Sequence, residues 1–441
     1  MATEKEQSTK IMYMDEIFTA TPESIDPENN IIAKYYVESP LGLRSAGIAV
    51  ATEESIGTWT EITTTNDWVR NKLPAKVFRI EETGNGADSG LVYIAYPLDL
   101  FDVETSGLAN ILSMVAGNLF GLTAITNVRL LDVEFPKSVV EQYPGPRFGI
   151  DGVRKLVGTN NAPRPHLGTI VKPKVGLSPL QTAKVAYEAA MGGVDFIKDD
   201  ETLVNQKFCP LEERVSKVME ALDKAKSETG RTVLFAVNVS SAPDMMLKHA
   251  ETAMDNGCNT LMLDIIILGM PTVEWFIKSY NFKVPIHMHR AMHAAFTRNP
   301  KHGIAMLPIA KMARMMGGDQ LHVGAGAGKM GNIEERASEL TAMIDFLRSE
   351  WFGKKTTFPV ASGGVHPGFV PANYSIFGND FVINAGGGIH GHPWGTRAGA
   401  TAMKQAIDAS VKGIALDEYA KSHLELAAAL AQWGEKKLSG D

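Results

Sequence analysis

Four charged residues follow the apolar run "GGVDFI" and form the most reactive stretch of the chain. They are Lys198, Asp199, Asp200 and Glu201. Residues two apart on a strand point to the same face, so Lys198 and Asp200 share a face while Asp199 faces away. Carboxylate oxygens such as those of Asp200 and Glu201 are ligands that Mg²⁺ prefers. Unless the stretch is only a solvated charge run, it indicates a metal site at a strand end.

A lysine beside two metal-binding carboxylates has two interpretations. A protonated ammonium has no lone pair and repels a divalent cation. Lys198 is therefore either a counter-ion of the acids, or an amine that has added CO₂ and become a carbamate with two oxygen ligands. Burial, and a neighbouring cation such as Lys172, would lower the pKa of the amine and favour the carbamate. The residues alone leave both interpretations open.

Reactive side chains also stand at the ends of other β-rich runs. These are Lys172 and Lys174, His287, His289 and Arg290, His322, and Ser362. A lone histidine or lysine is usually structural, but a series at successive strand ends indicates one shared site. His289 is the best candidate for proton transfer, whereas His287 and His293 can be structural.

Two glycine clusters predict a phosphate site. "ASGG" (Ala361 to Gly364, including Gly363) and "AGGG" (Ala385 to Gly388, including Gly386 and Gly387) follow the last two β-rich runs. Bare backbone N–H groups at this position bind phosphate in barrel enzymes. "GGGIHG" fits the dinucleotide pattern GxGxxG but follows the last strand, so no nucleotide cofactor is expected.

A second anion site is predicted from three cationic side chains, Arg290, His322 and Lys329. Lys329 lies in "VGAGAGKMG", which lacks the first glycine and the Ser or Thr of a phosphate-binding P-loop and is interpreted as a mobile lid. Together with the glycine clusters, these residues predict a bisphosphate or a substrate with two anionic ends.

A (β/α)8 (TIM) barrel would bring these strand ends together. Eight β-rich runs alternate with helical segments over roughly 250 residues, which is the rhythm of that fold. The runs are "GTIVKPK", "VDFIKDDE", "TVLFAVNV", "TLMLDI", "VPIHMHR", "DQLHVG", "FPVASGG" and "DFVINAGGG". A helix is predicted in "SPLQTAKVAYEAAMGG", with Pro179 at its first position, and another in "NIEERASELTAMIDFLRSEW", opened by Asn332. A doubly wound sheet is the rival α/β arrangement.

The first part of the chain has a different pattern. "NIIAKYYVES", "SAGIAVAT", "AKVFRIEE", "LVYIAYPLDLF" and "VRLLDVEFP" are predicted strands, and "SGLANILSMVAGNLF" a helix. This predicts a smaller α+β, ferredoxin-like domain over residues 1–140. The barrel, with a C-terminal helical tail, then occupies residues 141–441.

Composition excludes several classes of protein. The 441 residues carry a net charge of -7 and only two cysteines, Cys209 and Cys258. A mildly acidic chain without a basic patch predicts no nucleic-acid partner, and two unpatterned cysteines support neither a disulfide framework nor a zinc site. Because no signal core or long apolar stretch occurs, no membrane association is expected and the cytoplasm is the predicted location.

Six motifs in this order resemble the large subunit of ribulose-1,5-bisphosphate carboxylase/oxygenase. They are "GTIVKPKVGLS", "GGVDFIKDDE", "HMHRAMHA", "LHVGAGAGKM", "PVASGGVHPG" and "GGGIHGHPWG". The resemblance extends over nearly the whole chain and implies the two-domain fold predicted above. The Gly/Ala-rich loop, "IKDDE" and the short termini are most similar to the archaeal form III type.

The resemblance implies an Mg²⁺-dependent enolisation and carboxylation of ribulose 1,5-bisphosphate to two 3-phosphoglycerate, with oxygenation by O₂ as a side reaction. Lys198 would be carbamylated by activating CO₂ and would bind Mg²⁺ with Asp200 and Glu201. Its carbamate would remove the C3 proton. Lys172 and Lys174 would move protons around C2, His289 would act at the C3 hydroxyl, and Lys329 would stabilise the new carboxylate.

The resemblance also assigns the substrate-binding residues. One phosphate would contact Thr58, Trp59, Gly364, Gly386 and Gly387, and the other Arg290, His322 and Ser362. "EESIGTWT" and "VAGNLFG" look like the segments that a partner subunit inserts, so Glu53 and Asn118 would complete the site of a homodimer, alone or within a larger oligomer of dimers. No small subunit is implied, and the substrate would come from nucleotide (AMP) breakdown rather than photosynthesis.

Two positions depart from the family pattern. Gly331 stands where a glutamate is usual, and Thr202 where an asparagine commonly follows the acidic residues. These departures bear on loop closure and CO₂/O₂ discrimination. The alternatives are a rubisco-like enolase acting on a methylthio-sugar phosphate and a non-catalytic phosphosugar-binding barrel.

Overall fold

A computed structural model describes residues 16–57, 63–83, 88–328 and 333–434. Its strands are β1 (Asn30–Glu38), β2 (Lys76–Glu82), β3 (Ser89–Pro97), β4 (Asn127–Glu134), β5 (His166–Ile170), β6 (Phe196–Lys198), β7 (Leu234–Asn238), β8 (Thr260–Asp264), β9 (Ile286–His289), β10 (Gly303–Ile304), β11 (Gln320–His322), β12 (Phe358–Ser362) and β13 (Val382–Asn384). The α-helices are α1 (Leu43–Glu53), α2 (Asp67–Lys72), α3 (Gly107–Ala116), α4 (Lys137–Val140), α5 (Gly149–Val157), α6 (Pro179–Gly192), α7 (Leu211–Thr229), α8 (Pro243–Asp255), α9 (Ile265–Leu268), α10 (Met270–Ser279), α11 (Ala294–Thr297), α12 (Met306–Met316), α13 (Ile333–Arg348), α14 (Val370–Phe377), α15 (Gly387–His390), α16 (Gly395–Lys412), α17 (Leu416–Ala420) and α18 (Leu424–Trp433).

The chain divides into two compact units. The first comprises Met1–Tyr143 together with Met292–Met312, and the second comprises Pro144–Ala291 together with Ala313–Asp441. The first unit therefore ends close to the boundary predicted at residue 140. It also takes in Met292–Met312, a segment that no sequence pattern separated from the barrel.

The first unit contains a five-stranded sheet in the order β10-β4-β1-β3-β2. β1 pairs antiparallel with both β3 and β4, β2 pairs antiparallel with β3, and β10 adds to β4 in parallel. Along β1 every second residue is buried, so one face of the sheet packs inward. Without β10, the strand order and the helices α1 and α3 give the βαββαβ arrangement of a ferredoxin-like domain, as predicted.

One predicted strand of this unit is wrong. "SAGIAVAT" lies in α1, whose buried residues are Leu43, Ala46, Gly47, Val50, Ala51 and Thr52. Most of these positions recur every three or four residues, which is the period of a helix and not of a strand. Small residues on that face let α1 approach the sheet closely, since a methyl group added at Gly47 would lie 2.9 Å from Val92.

The second unit contains a closed barrel of parallel strands in the order β11-β12-β13-β5-β6-β7-β8-β9, and β9 pairs with β11. The predicted (β/α)8 barrel is thus confirmed, and the open doubly wound sheet is excluded. The strands are three to five residues long, and several predicted runs continue past them into loops. The C-terminal ends of all eight strands consequently open at one mouth.

A small apolar cluster closes the opposite end of this barrel. Ile150 and Val153 of α5 pack with Phe196, Leu234 and Phe358, each the first residue of its strand. α5 thus covers the N-terminal end of the barrel with apolar side chains. The polar side chains at the strand ends lie at the opposite end, which is the mouth.

The helix predicted after "GTIVKPKVGLS" forms as α6. Ser178 accepts the N–H of Gln181, whose side chain accepts the N–H of Ser178 in return, and Pro179 occupies the first helical position. Asn332, the predicted first residue of the later helix, lies outside the described residues. Both cysteines are free and buried. Among the helices that the structure describes, none has the length and apolar character needed to cross a bilayer.

Candidate active site

Lys198, the last residue of β6, lies at the C-terminal end of the barrel strands. Its side chain is 1% exposed, and its Nζ donates to the carbonyl oxygen of Asp199 at 2.8 Å and lies 3.5 Å from Oε2 of Glu201. Burial lowers the pKa of Lys198, although the surrounding carboxylates oppose that change. The amine is therefore more easily deprotonated than a surface lysine, and only a deprotonated amine can attack CO₂.

Asp200 is buried beside Lys198 and held from two sides. Lys172, two residues beyond β5, donates to its Oδ2 at 2.8 Å. Thr202 donates to its Oδ1 through the hydroxyl at 2.9 Å and the backbone N–H at 3.2 Å. Burial acts to raise the pKa of Asp200, but Lys172 and Thr202 outweigh it and hold this pKa below its usual value. Asp200 is thus ionised, and Thr202 orients it.

Glu201 faces a histidine that a further acid orients. Its Oε2 lies 3.8 Å from Nε2 of His289, and Nδ1 of His289 lies 2.6 Å from Oδ1 of Asp264. Asp264 ends β8, is 2% exposed and also accepts the N–H of Ala291 at 3.3 Å. Sequence reasoning missed Asp264 because it is embedded in the apolar run "LMLDIIIL". Its place as the polar end of a predicted strand was the signal available.

Asp199 belongs to a different environment from its three charged neighbours. Its side chain is fully buried against Arg214 of α7, with Oδ2 3.1 Å from Nη2, and Oδ2 also accepts the N–H of Asn238 at 3.1 Å. The strand alternation thus separates it from Lys198 and Asp200, as predicted. The ion pair between Asp199 and Arg214 joins the outer side of β6 to α7.

Histidines from neighbouring strands form a buried row in the barrel. Nε2 of His287 lies 2.9 Å from Nε2 of His322, whose Nδ1 lies 2.8 Å from Oγ of Ser362. Gln320, which sequence reasoning did not single out, approaches Nδ1 of His287 at 2.8 Å. Burial lowers the pKa of both His287 and His322 well below the usual range, with neighbouring cationic groups adding to the effect. Both rings are therefore neutral near pH 7.

The glycine clusters form tight turns at the mouth. Gly363 and Gly364 have φ of +116° and +70°, a backbone conformation that residues with side chains rarely adopt. Gly386 approaches Lys172 so closely that an added methyl group would lie 3.2 Å from its Cε. Gly387 is exposed, so backbone groups at these turns are accessible to a ligand.

Two further predicted residues of the second unit, Arg290 and Lys174, follow strand ends of the barrel. Arg290 directly follows His289, and its guanidinium reaches Gly324, where an added methyl group would lie 2.6 Å from Nη2. Lys174 is exposed in the loop beyond Lys172. Lys329 and Gly331 lie outside the described residues.

Two of the predicted residues that the structure describes belong to the first unit. Glu53 ends α1 and Asn118 follows α3, and Nδ2 of Asn118 lies 3.3 Å from Oε1 of Glu53. The two segments that carry them are thus brought together within one unit. Thr58 and Trp59 lie outside the described residues.

The donor set at the mouth fits Mg²⁺ only if the lysine takes part. Among the described residues, no group of three His, Cys, Asp or Glu side chains is placed to hold a metal ion. Asp200 and Glu201 supply two hard carboxylates, and the amine between them is buried, with a lowered pKa. A carbamate on Lys198 would turn this set into three oxygen ligands.

Comparison with known proteins identifies the same fold and family. The family model "Ribulose bisphosphate carboxylase large chain, catalytic domain" matches residues 149–433, and the corresponding N-terminal domain model matches residues 20–139. A ribulose bisphosphate carboxylase of Methanocaldococcus jannaschii is 46% identical over 397 residues, 87% of this chain and 92% of that protein.

Comparison with solved structures identifies the same family. An octameric Rubisco of Pyrococcus horikoshii has a TM-score of 0.87 and 41% identity, covering 97% of this chain and 98% of that one. A dimeric archaeal Rubisco of Hyperthermus butylicus has a TM-score of 0.84 and 38% identity, covering 96% and 100%. A rubisco-like protein of Burkholderia fungorum reaches a TM-score of 0.81 at 30% identity, covering 92% and 100%. The chain therefore belongs to the family of the ribulose bisphosphate carboxylase large chain, with archaeal members among its relatives.

Proposed function

We propose that this chain is a ribulose-1,5-bisphosphate carboxylase, which enolises ribulose 1,5-bisphosphate and adds CO₂ to give two molecules of 3-phosphoglycerate, with oxygenation as a side reaction. The observation that carries this proposal is the buried amine of Lys198, 3.5 Å from Glu201 and on the same strand end as Asp200. Membership of the carboxylase family supports it. A role in nucleotide breakdown rather than photosynthesis is also proposed, from the resemblance to the archaeal form III type.

Lys198 would be activated by CO₂ before catalysis. The ammonium first loses one proton to solvent; the neutral amine then forms a bond to the carbon of CO₂ and releases a second proton to solvent, so that a cationic side chain becomes an anionic carbamate. Burial supports this step because it lowers the pKa of the amine. Lys172, which pairs with Asp200 at 2.8 Å, keeps one positive charge beside the new anion.

Lys198 as its carbamate, Asp200 and Glu201 would then hold Mg²⁺. When bound, the metal would supply a Lewis acid that polarises substrate oxygens. The carbamate is proposed as the base that takes the C3 proton, with Lys172 and Lys174 moving protons around C2. His289 would act at the C3 hydroxyl, held in orientation by Asp264 at 2.6 Å.

The two ends of the substrate would bind at different sides of the mouth. The exposed turns at Gly364, Gly386 and Gly387, with Thr58 and Trp59, are proposed for one phosphate. Arg290, His322 and Ser362 are proposed for the other end, and Lys329 for the new carboxylate.

A homodimer is the proposed assembly, with residues 1–140 of one subunit completing the site of the other. Glu53 and Asn118 lie 3.3 Å apart and would be presented together to the partner subunit. Dimeric and octameric archaeal structures among the neighbours support a dimer, alone or within a larger oligomer. No small subunit, nucleic acid or membrane is part of the proposal.

Fixation of labelled CO₂ tests the function directly. Purified protein would be pre-incubated with CO₂ and Mg²⁺, then given ribulose 1,5-bisphosphate under anoxia, with Lys198→Ala as the blank. We expect labelled 3-phosphoglycerate from the wild-type protein alone. Absence of product after activation would reject the carboxylase, and enolisation of a methylthio-sugar phosphate would then be assayed.

A further inference from the structure

A continuous row of hydrogen bonds leads from a buried amide to the barrel mouth. Oε1 of Gln320 lies 2.8 Å from Nδ1 of His287, and Nε2 of His287 lies 2.9 Å from Nε2 of His322. The row ends at Ser362, whose Oγ lies 2.8 Å from Nδ1 of His322. Gln320 and His287 are fully buried and His322 is 2% exposed. Each of these groups therefore relies on its neighbours in the row for hydrogen bonds.

The contact between the two imidazoles restricts where hydrogen atoms can lie. Across 2.9 Å, only one of the two Nε2 atoms can carry hydrogen, because two facing N–H groups would collide. A neutral imidazole has one N–H and one bare nitrogen, so fixing one nitrogen of each ring fixes the other. The row therefore has two arrangements, which run in opposite directions.

In the first arrangement hydrogen bonds run away from the mouth. Ser362 donates its hydroxyl to Nδ1 of His322, His322 donates from Nε2 to His287, and His287 donates from Nδ1 to the carbonyl oxygen of Gln320. In the second arrangement every direction is reversed, and Gln320 must turn its NH₂ group toward His287. Ser362 then keeps its proton free for the mouth.

We propose that Gln320 is a positioning residue that selects the first arrangement and thereby makes Ser362 a hydrogen-bond acceptor toward the mouth. The carbonyl oxygen of Gln320 is the atom that faces His287. The proposal rests on the proposed function, because it concerns how Ser362 meets the substrate. An acceptor there meets a proton-bearing group, such as a sugar hydroxyl, and not an ionised phosphate oxygen. The inference therefore narrows the assignment given above: Ser362 would contact a hydroxyl beside the second phosphate, and Arg290 would carry the phosphate itself.

The contacts of Gln320 distinguish a role in orienting the row of hydrogen bonds from a role in stabilising the fold. Its Nε2 is buried and has no hydrogen-bond partner among the described residues. Gln320→Met would remove this unpaired donor but leave Nδ1 of His287 without a partner. Because each unsatisfied buried group costs about 1 to 3 kcal/mol, the two effects offset and the fold should stay about as stable as before. Loss of Gln320 should therefore change the direction of the row without loosening the barrel.

Kinetics of Gln320→Met test the functional side. We expect the KM for ribulose 1,5-bisphosphate to rise roughly 3- to 10-fold with kcat within about 2-fold, because a contact formed in both ground and transition states is weakened. The thermal midpoint should not fall. Gln405→Met, a matched change on α16 away from the row, should leave both constants unchanged. An unaltered KM in a folded Gln320→Met protein would overturn the proposal.

Neutron diffraction from deuterated wild-type crystals tests the arrangement itself and needs no activity. We expect deuterium on Nδ1 of His287 and Nε2 of His322, with the Ser362 deuteron directed at His322. Deuterium on Nδ1 of His322 would overturn the proposal even if Gln320→Met failed to fold. A protein without carboxylase activity would reject the proposed function, while the neutron map would still decide the direction of the row.

Discussion

Two ion pairs share the end of β6 but differ in what surrounds them. Asp199 and Arg214 are both completely buried, and no substrate could reach them. Lys198 is equally buried, yet its partner Glu201 is 33% exposed, and Lys172, which pairs with Asp200, is 35% exposed. The first pair is closed on all sides, whereas the second opens on one side to the mouth. Substitutions in the closed pair should therefore change the free energy of unfolding, whereas substitutions in the open pair should change the activity.

Replacing Lys198 should give the largest change. Lys198→Met keeps the length of the side chain but removes the amine, so no carbamate can form and carboxylation should fall by about 10⁴-fold or more, roughly 5.5 kcal/mol of activation free energy. The substitution leaves no buried charge unpaired, because Glu201 is 33% exposed and Asp200 keeps its pair with Lys172, so the unfolding free energy in urea should stay within about 1 kcal/mol of the wild type. A large loss of stability would blur the distinction between the two pairs.

Asp199→Asn should show the opposite pattern. It leaves the guanidinium of Arg214 buried without a counter-charge, so unfolding should become easier by about 3 to 5 kcal/mol. Activity per folded molecule should persist at moderate temperature. The double variant Asp199→Leu with Arg214→Met should recover much of the stability, as measured by urea unfolding. Full activity loss in a folded Asp199→Asn protein would contradict a structural role.

Asp264 is itself buried, but its partner His289 is 15% exposed at the mouth, so Asp264 should act on activity through His289. Asp264→Asn keeps the shape but can turn a donor toward Nδ1 of His289, so the ring loses its preferred tautomer and orientation. We expect kcat to fall roughly 10- to 100-fold, with a smaller change in KM. Asp264→Glu, which keeps the charge, should recover part of the rate if orientation is the role.

Lowering the pH should reduce the free energy of unfolding through the buried side chain of His166. Burial lowers the pKa of His166 to about 4 from an ordinary 6.5. The unfolded chain then binds a proton that the folded chain excludes, so this stabilisation is present above pH 6.5 and is lost as pH falls toward about 4. His166→Gln should reduce the loss of unfolding free energy between pH 6.5 and 5.5 by about 1 kcal/mol.

Thr202 should give the smallest effect. Thr202→Ala removes the hydroxyl that orients Asp200, and we expect roughly 3- to 10-fold more Mg²⁺ to be needed for half-maximal activation. Thr202→Ser should behave as the wild type, because it keeps the donor. Equal Mg²⁺ requirements in all three proteins would show that Thr202 has no part in holding Asp200.

Local sequence patterns predicted the barrel well because strand alternation and strand ends are local properties. They separated Asp199 from Lys198 and Asp200, and they brought His289 to the mouth. Contacts between distant strands were not predictable in the same way. Gln320 has a role only because β9 is the neighbour of β11, and "SAGIAVAT" resembles a strand unless its Gly and Ala residues are weighed as a helix face.

The division of the chain into two interleaved units has a consequence for synthesis. Arg129 on β4 is 3% exposed and donates to the carbonyl oxygens of Thr297 and Pro300. β4 also receives β10. A nascent chain that has reached residue 143 therefore still lacks one edge of its first sheet, and some 160 further residues must leave the ribosome before that edge can close. A fragment ending at residue 143 would expose a strand edge and an arginine that the complete chain covers, which makes it prone to association with other chains.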